Sequence, residues 1–150
     1  EVEKINANQL EIFLKKIRDA LWVLQDKKIA VWGLAFKQNT DDIRESVAIK
    51  LIQQLLEEKA VVTAYDPKAT ETAKKVLGDS ITYVDDPLKA TEGAEALIVA
   101  TEWPEFTGVD FSKVKENMVT DLIFDGRNLL DPSTMKQFGF TYSAVGRGSI

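Results

Sequence analysis

The residues best suited to chemistry fall in one stretch, Gly33-Leu34-Ala35-Phe36-Lys37, followed closely by Thr40-Asp41-Asp42-Ile43-Arg44-Glu45-Ser46. Lys37 and Arg44 bring two cations close to the expected start of a helix. A helix amino terminus offers unpaired N–H groups and the positive end of a dipole, so an anion such as a phosphate can be held there. Thr40, Asp41, Asp42 and Ser46 also have a plainer use as caps and turn-formers. For the two aspartates, capping or ion pairing is preferred over catalysis. A third cation, Arg127, stands in Phe124-Asp125-Gly126-Arg127-Asn128, just after a short apolar run. Asp125 and Gly126 are expected to shape a turn there and to orient Arg127. In another loop Trp103 and Phe106 flank Pro104. They could stack on a base, but packing against a surface between domains is the expected role.

The 150 residues include no cysteine and no histidine. This removes disulfides, thiolate nucleophiles, imidazole bases and the usual zinc ligands together. No metal site is therefore expected in the chain, and a cytoplasmic origin is compatible with its composition. The net charge of −5 argues against a nucleic-acid-binding surface. An anionic small ligand remains compatible with it where a few cations converge. No apolar run approaches the ~20 residues of a membrane helix. The opening Glu1-Val2-Glu3-Lys4 has no signal-peptide pattern and no initiator Met, as expected of a fragment or a processed product.

The elements that must position these residues follow from periodicity. Leu10, Phe13, Leu14, Ile17, Leu21 and Leu24 recur at three- and four-residue spacing and predict an amphipathic helix. That helix could pack on its own domain, connect to another domain, or form a dimer seam. Strands are then predicted over residues 28–32, 61–65, 81–84, 96–100, 122–124 and 141–144. Helices are expected from near Ser46 and over 69–77, 87–91 and 111–117. The residues from Gly146 to Ile150 read as a frayed tail. Alternating strands and helices imply an α/β domain with a mainly parallel sheet covered on both faces. Its expected order is doubly wound and Rossmann-like, preceded by an N-terminal helix. In such sheets ligands sit beyond the carboxyl ends of the strands, which singles out the loops 33–46, 101–106 and 125–130.

A dinucleotide site on the first of these loops would show G-x-G-x-x-G. Here Gly33 stands alone, with bulky residues where the other glycines belong, so the main NAD site is not expected in this chain. Asp66, at the end of the second strand, superficially resembles a ribose-binding acid. Without the glycines it reads as a strand-end turn residue. Lys59 closes the second helix, where a left-handed cap would be strained by about 1 kcal/mol, so a different ending is expected.

Taken whole, the 33–46 stretch resembles the signature of the UDP-glucose/GDP-mannose dehydrogenase family. Further agreement follows in order: Tyr65-Asp66-Pro67, Glu92-Gly93-Ala94, Thr101-Glu102-Trp103 and Phe124-Asp125-Gly126-Arg127-Asn128. The Phe36-Lys37 and Thr40-Asp41 wording is closest to the UDP-glucose branch. The resemblance implies the UDP-binding carboxy-terminal domain of an enzyme that oxidises a sugar C6 alcohol to a carboxylate with two NAD. Residues 1–26 would end a central connecting and dimerisation helix, and residues 27–150 would form the nucleotide-sugar-binding domain. NAD and the nucleophilic cysteine would belong to an N-terminal domain and central region absent from this chain, which alone would be inactive.

By the same resemblance Phe36, Lys37 and Arg127 would contact the UDP-sugar, and Arg44 would reach NAD across the cleft. UDP-glucose or a related nucleotide sugar, the N-terminal NAD-binding domain and a second subunit are the implied partners, without nucleic acid or membrane. Without the resemblance, Lys37 and Arg127 read as solvated surface charges. The alternatives are the equivalent domain of a UDP-N-acetylhexosamine or GDP-mannose dehydrogenase, or a non-enzymatic Rossmann-like dimerisation module.

Overall fold

The computed structural model describes residues 7–35, 47–144 and 148–149. Its strands are β1 (Lys28–Trp32), β2 (Val61–Tyr65), β3 (Thr82–Tyr83), β4 (Ala96–Val99), β5 (Leu122–Asp125), β6 (Thr141–Ala144) and β7 (Gly148–Ser149). They form one sheet in the order β3-β2-β1-β4-β5-β6-β7. The first six strands are parallel, and β7 pairs antiparallel with β6. The doubly wound expectation is met, with the order reversing between β1 and β4. The tail expected to be frayed instead contributes Gly148 and Ser149 to the sheet edge.

Side-chain alternation along the strands builds two cores. Ile29 and Val31 of β1, Val62 and Ala64 of β2, and Ala96 and Ile98 of β4 point to one face. There they meet α1 (Ala7–Leu21), α2 (Val47–Glu57) and α3 (Thr70–Leu77). Ala30 and Trp32 of β1, Leu97 and Val99 of β4, and Ile123 of β5 point to the other. That face is covered by α4 (Pro87–Thr91), α5 (Phe111–Asn117) and α6 (Pro132–Gln137). Strands buried on both sides read as continuous apolar runs, as parallel sheets require.

The apolar stripe of α1 is spent on its own domain. Phe13, Leu14, Ile17, Leu21 and Leu24 are all buried, and Phe13 meets Phe124 edge to face at 6.2 Å. Lys16 Nζ donates to the carbonyl of Ala144 at the end of β6 (3.3 Å), while Arg18 pairs with Glu58 just before β2 begins. The helix therefore runs from the carboxyl edge of the sheet towards its amino edge. It ends at Trp22, which is left-handed (φ 69°) and 88% exposed.

The short helices are opened by side chains. Asp86, Asp110 and Asp131 each accept a backbone N–H of the first turn, and Pro87 and Pro132 begin α4 and α6. Proline lacks the N–H that would be an orphan at this position. At the end of α2, Ala60 N–H donates to Leu55 O (3.1 Å) and Lys59 N–H to Leu56 O (3.0 Å). This is a Schellman closure with Lys59 left-handed at φ 70°. The expected alternative ending is thus corrected: the two backbone bonds outweigh the strain of the side chain. Lys59→Gly is expected to raise stability by about 1 kcal/mol, seen as a higher urea midpoint with unchanged slope.

Candidate ligand edge at the carboxyl ends of the strands

Three connections meet at the carboxyl edge of β1, β4 and β5. The first begins at Gly33, whose φ of 106° suits only glycine. A Cβ there would lie 2.4 Å from Thr101 Cβ and 2.8 Å from Thr101 N. Gly33 therefore serves the close approach of β1 and β4 where the strand order reverses, rather than the approach of a pyrophosphate. Thr101 Oγ1 donates to Ala35 O at 3.1 Å, tying the residue before Phe36 to the β4 connection. Phe36, Lys37 and Arg44, together with the capping candidates Thr40, Asp41, Asp42 and Ser46, lie outside the described residues.

Asp66 organises the neighbouring edge. One carboxylate oxygen accepts Leu34 N–H (2.7 Å), Ala35 N–H (3.2 Å) and the Trp103 indole N–H (3.2 Å). The other accepts Lys68 N–H (2.8 Å) and Ala69 N–H (2.7 Å). The residue is buried, and its five donors come from three separate connections. Both oxygens are saturated, so neither can hold a ribose hydroxyl. The turn-residue reading stands, extended to a clamp over three loops. Among the described residues, Gly33 is thus used for strand approach and Asp66 for internal hydrogen bonds.

Trp103 and Phe106 are core residues rather than part of a surface between domains. Both are buried, and Phe106 stacks on Trp32 with ring centres 5.1 Å apart. Tyr65 OH donates to Glu105 at 2.7 Å, a second tie between the end of β2 and this connection. Burial, then the Glu105 hydrogen bond and its charge, push the Tyr65 phenol well above its ordinary value.

Arg127 follows β5 on a turn built by Asp125. The fully buried Asp125 carboxylate accepts Arg127 N–H (2.9 Å), Leu130 N–H (2.8 Å) and Tyr142 OH (2.7 Å). Gly126 N–H donates to Val99 O at 2.8 Å, which fastens the turn to β4. Asn128 takes the left-handed conformation (φ 56°), which asparagine tolerates well. Its Oδ1 is buried without a hydrogen-bond partner among the described residues. The expected turn-shaping role of Asp125 is met, through the Arg127 backbone. The Arg127 guanidinium reaches Glu102 of the β4 connection, Nη2 to Oε1 at 2.6 Å. Glu102 was not singled out by sequence reasoning; its position in Thr101-Glu102-Trp103, one strand away from Arg127, was the available signal.

A cleft of about 620 Å3 opens beyond β2 and β3, lined by residues that include Tyr65, Thr70, Lys74, Tyr83 and Lys89. Its cations are already engaged, Lys89 with Asp85 (3.1 Å) and Lys74 with Glu71 (3.5 Å). No group of three acidic, histidine or cysteine side chains that could hold a metal occurs among the described residues. Nor is any described helix long and apolar enough to cross a membrane.

The order reversal between β1 and β4, with helices on both faces of the sheet, defines a Rossmann-like domain. The chain belongs to the UDP-glucose/GDP-mannose dehydrogenase family, whose UDP binding domain matches residues 30–132. A UDP-glucose 6-dehydrogenase of Pseudomonas aeruginosa is 39% identical over 154 residues, spanning 97% of this chain and 34% of that protein. A UDP-glucose dehydrogenase from the hyperthermophilic archaeon Pyrobaculum islandicum superposes with a TM-score of 0.80 at 35% identity, covering 93% of this chain and 30% of that one. A UDP-D-ManNAc dehydrogenase of Pyrococcus horikoshii gives 0.72 at 30% identity, covering 94% and 31%. The chain thus spans about a third of the length of the curated relatives it matches.

Proposed function

We propose that this chain is the nucleotide-sugar-binding part of an NAD-dependent UDP-glucose 6-dehydrogenase, which oxidises UDP-glucose to UDP-glucuronate in two hydride transfers. The observation that carries the reading is Arg127, held by Asp125 at the carboxyl end of β5 beside the order reversal. A guanidinium suits a diphosphate because its planar fork can donate two parallel hydrogen bonds. Phe36 and Lys37 complete the substrate contacts in this reading, and Arg44 reaches towards NAD. Residues 1–26 end a connecting helix, and residues 27–150 form the binding domain. NAD and the nucleophilic cysteine reside in the N-terminal two thirds that the relatives have. A cytoplasmic homodimer is part of the same reading, to be checked by sedimentation and cell fractionation of the full-length enzyme.

Titration of the chain with UDP and with GDP tests this proposal. UDP is expected to bind better than GDP, and Arg127→Ala to weaken UDP about tenfold, the loss of a charge-assisted hydrogen bond. Equal UDP affinity in Arg127→Ala would sink the assignment. Stronger binding of GDP would move the chain to the GDP-mannose branch. The reading as a dimerisation module built on α1 loses support because that helix buries its apolar stripe on its own sheet.

A further inference from the structure

We propose that Glu102 is a positioning residue for the Arg127 guanidinium; the inference rests on the reading of Arg127 as a nucleotide-sugar contact. The pair has an unusual setting for an ion pair at a ligand edge. Only 9% of the Arg127 side chain and 33% of the Glu102 side chain are exposed, and the contact is 2.6 Å. Both partners rise from anchored backbone. Arg127 follows the Asp125 turn, whose carboxylate is itself fixed by Tyr142 and the Leu130 N–H. Glu102 lies between Thr101, bonded to Ala35 O, and Trp103, bonded to Asp66. The acceptor and the fork are therefore held in register from two adjacent strands.

A guanidinium carries five N–H donors. Spending one on Glu102 fixes the plane of the fork while leaving others for a phosphate. The carboxylate's charge has the opposite tendency, since it repels an anionic ligand at short range. Glutamine separates the two, because it keeps an acceptor oxygen at the same reach and drops the charge. Aspartate keeps the charge and shortens the reach.

The experiment measures UDP binding to the chain by 31P and 15N NMR at up to millimolar nucleotide, with the Arg127 side-chain signals read as well. Glu102→Ala and Glu102→Asp are expected to weaken UDP about tenfold and to free the guanidinium rotation of Arg127. Glu102→Gln is expected to bind UDP at least as tightly as the wild type and to keep the rotation restricted. Adding Glu102→Ala to Arg127→Ala should bring no further loss, because coupled groups are not additive. Melting temperatures show which variants remain folded, and the Gln and Asp pair decides the matter if alanine unfolds the chain. Tighter UDP binding by Glu102→Ala would make Glu102 a competitor for the guanidinium and overturn the proposal. Failure of Glu102→Gln to restore affinity would overturn it as well. If Arg127→Ala binds as the wild type, or the wild type shows no UDP response, the underlying reading of Arg127 falls first.

Discussion

Asp66→Ala is expected to cost about 5 kcal/mol and to lower the melting temperature by about 15 °C. The substitution leaves Leu34, Ala35, Lys68 and Ala69 N–H groups and the Trp103 indole N–H without their acceptor. Each such donor, when it cannot reach water, costs about 1–3 kcal/mol. Lys68 is exposed and recovers some hydration, so the five do not sum in full. Against a typical stability of about 5–15 kcal/mol, the loss is between about a third and the whole. Asp66→Asn keeps one acceptor oxygen and places an amide donor against the others, so about half of the loss is expected. Urea unfolding of both variants checks the order. A near-neutral Asp66→Ala would mean that water replaces the carboxylate and that the three connections hold without it.

The second large effect is expected at Gly33. Gly33→Ala combines two costs that are separable by control. The φ of 106° strains any other residue by about 1–3 kcal/mol. The new methyl group would also meet Thr101 at 2.4 Å, which forces β1 and β4 apart for a further 1–3 kcal/mol or about that. The expected total is about 4 kcal/mol. Gly78 also has positive φ, at 57°, but open space around its Cβ direction, so Gly78→Ala gives a conformational cost free of any clash. Thermal unfolding of the two variants side by side tests the division. Equal losses at both positions would show that the β1–β4 contact yields without strain.

The two core faces were legible from the order of residues because buried parallel strands are short, apolar and rich in branched side chains. Lys28–Trp32 and Val61–Tyr65 show this directly, and their helices carry unbroken apolar stripes. The α6 helix escaped notice because it buries a single large side chain, Met135, over six residues. Its opening Asp131-Pro132 repeats the Asp86-Pro87 opening of α4, and that chemistry was the usable cue. The antiparallel β7 left no cue in Gly148 and Ser149, since two small residues carry no period. Asp125 was legible as a turn-former next to Arg127. The reach of Asp66 to Leu34 and Trp103 was not, because those partners lie more than thirty positions away and meet it only after the sheet assembles. The Glu102–Arg127 pair belongs to the same class of long-range outcome.

The burial of the three tryptophans has an optical consequence. Trp32 and Trp103 are enclosed, whereas Trp22 stands almost bare at the end of α1. Acrylamide should therefore quench one emitter readily and two poorly. Replacing Trp22 by phenylalanine leaves a fluorescence signal that comes from the interior alone. One of the two remaining indoles, Trp103, is bonded to the Asp66 carboxylate and is next in sequence to Glu102. The chain thus carries its own spectroscopic reporter of the connection that steadies Arg127, with no label required.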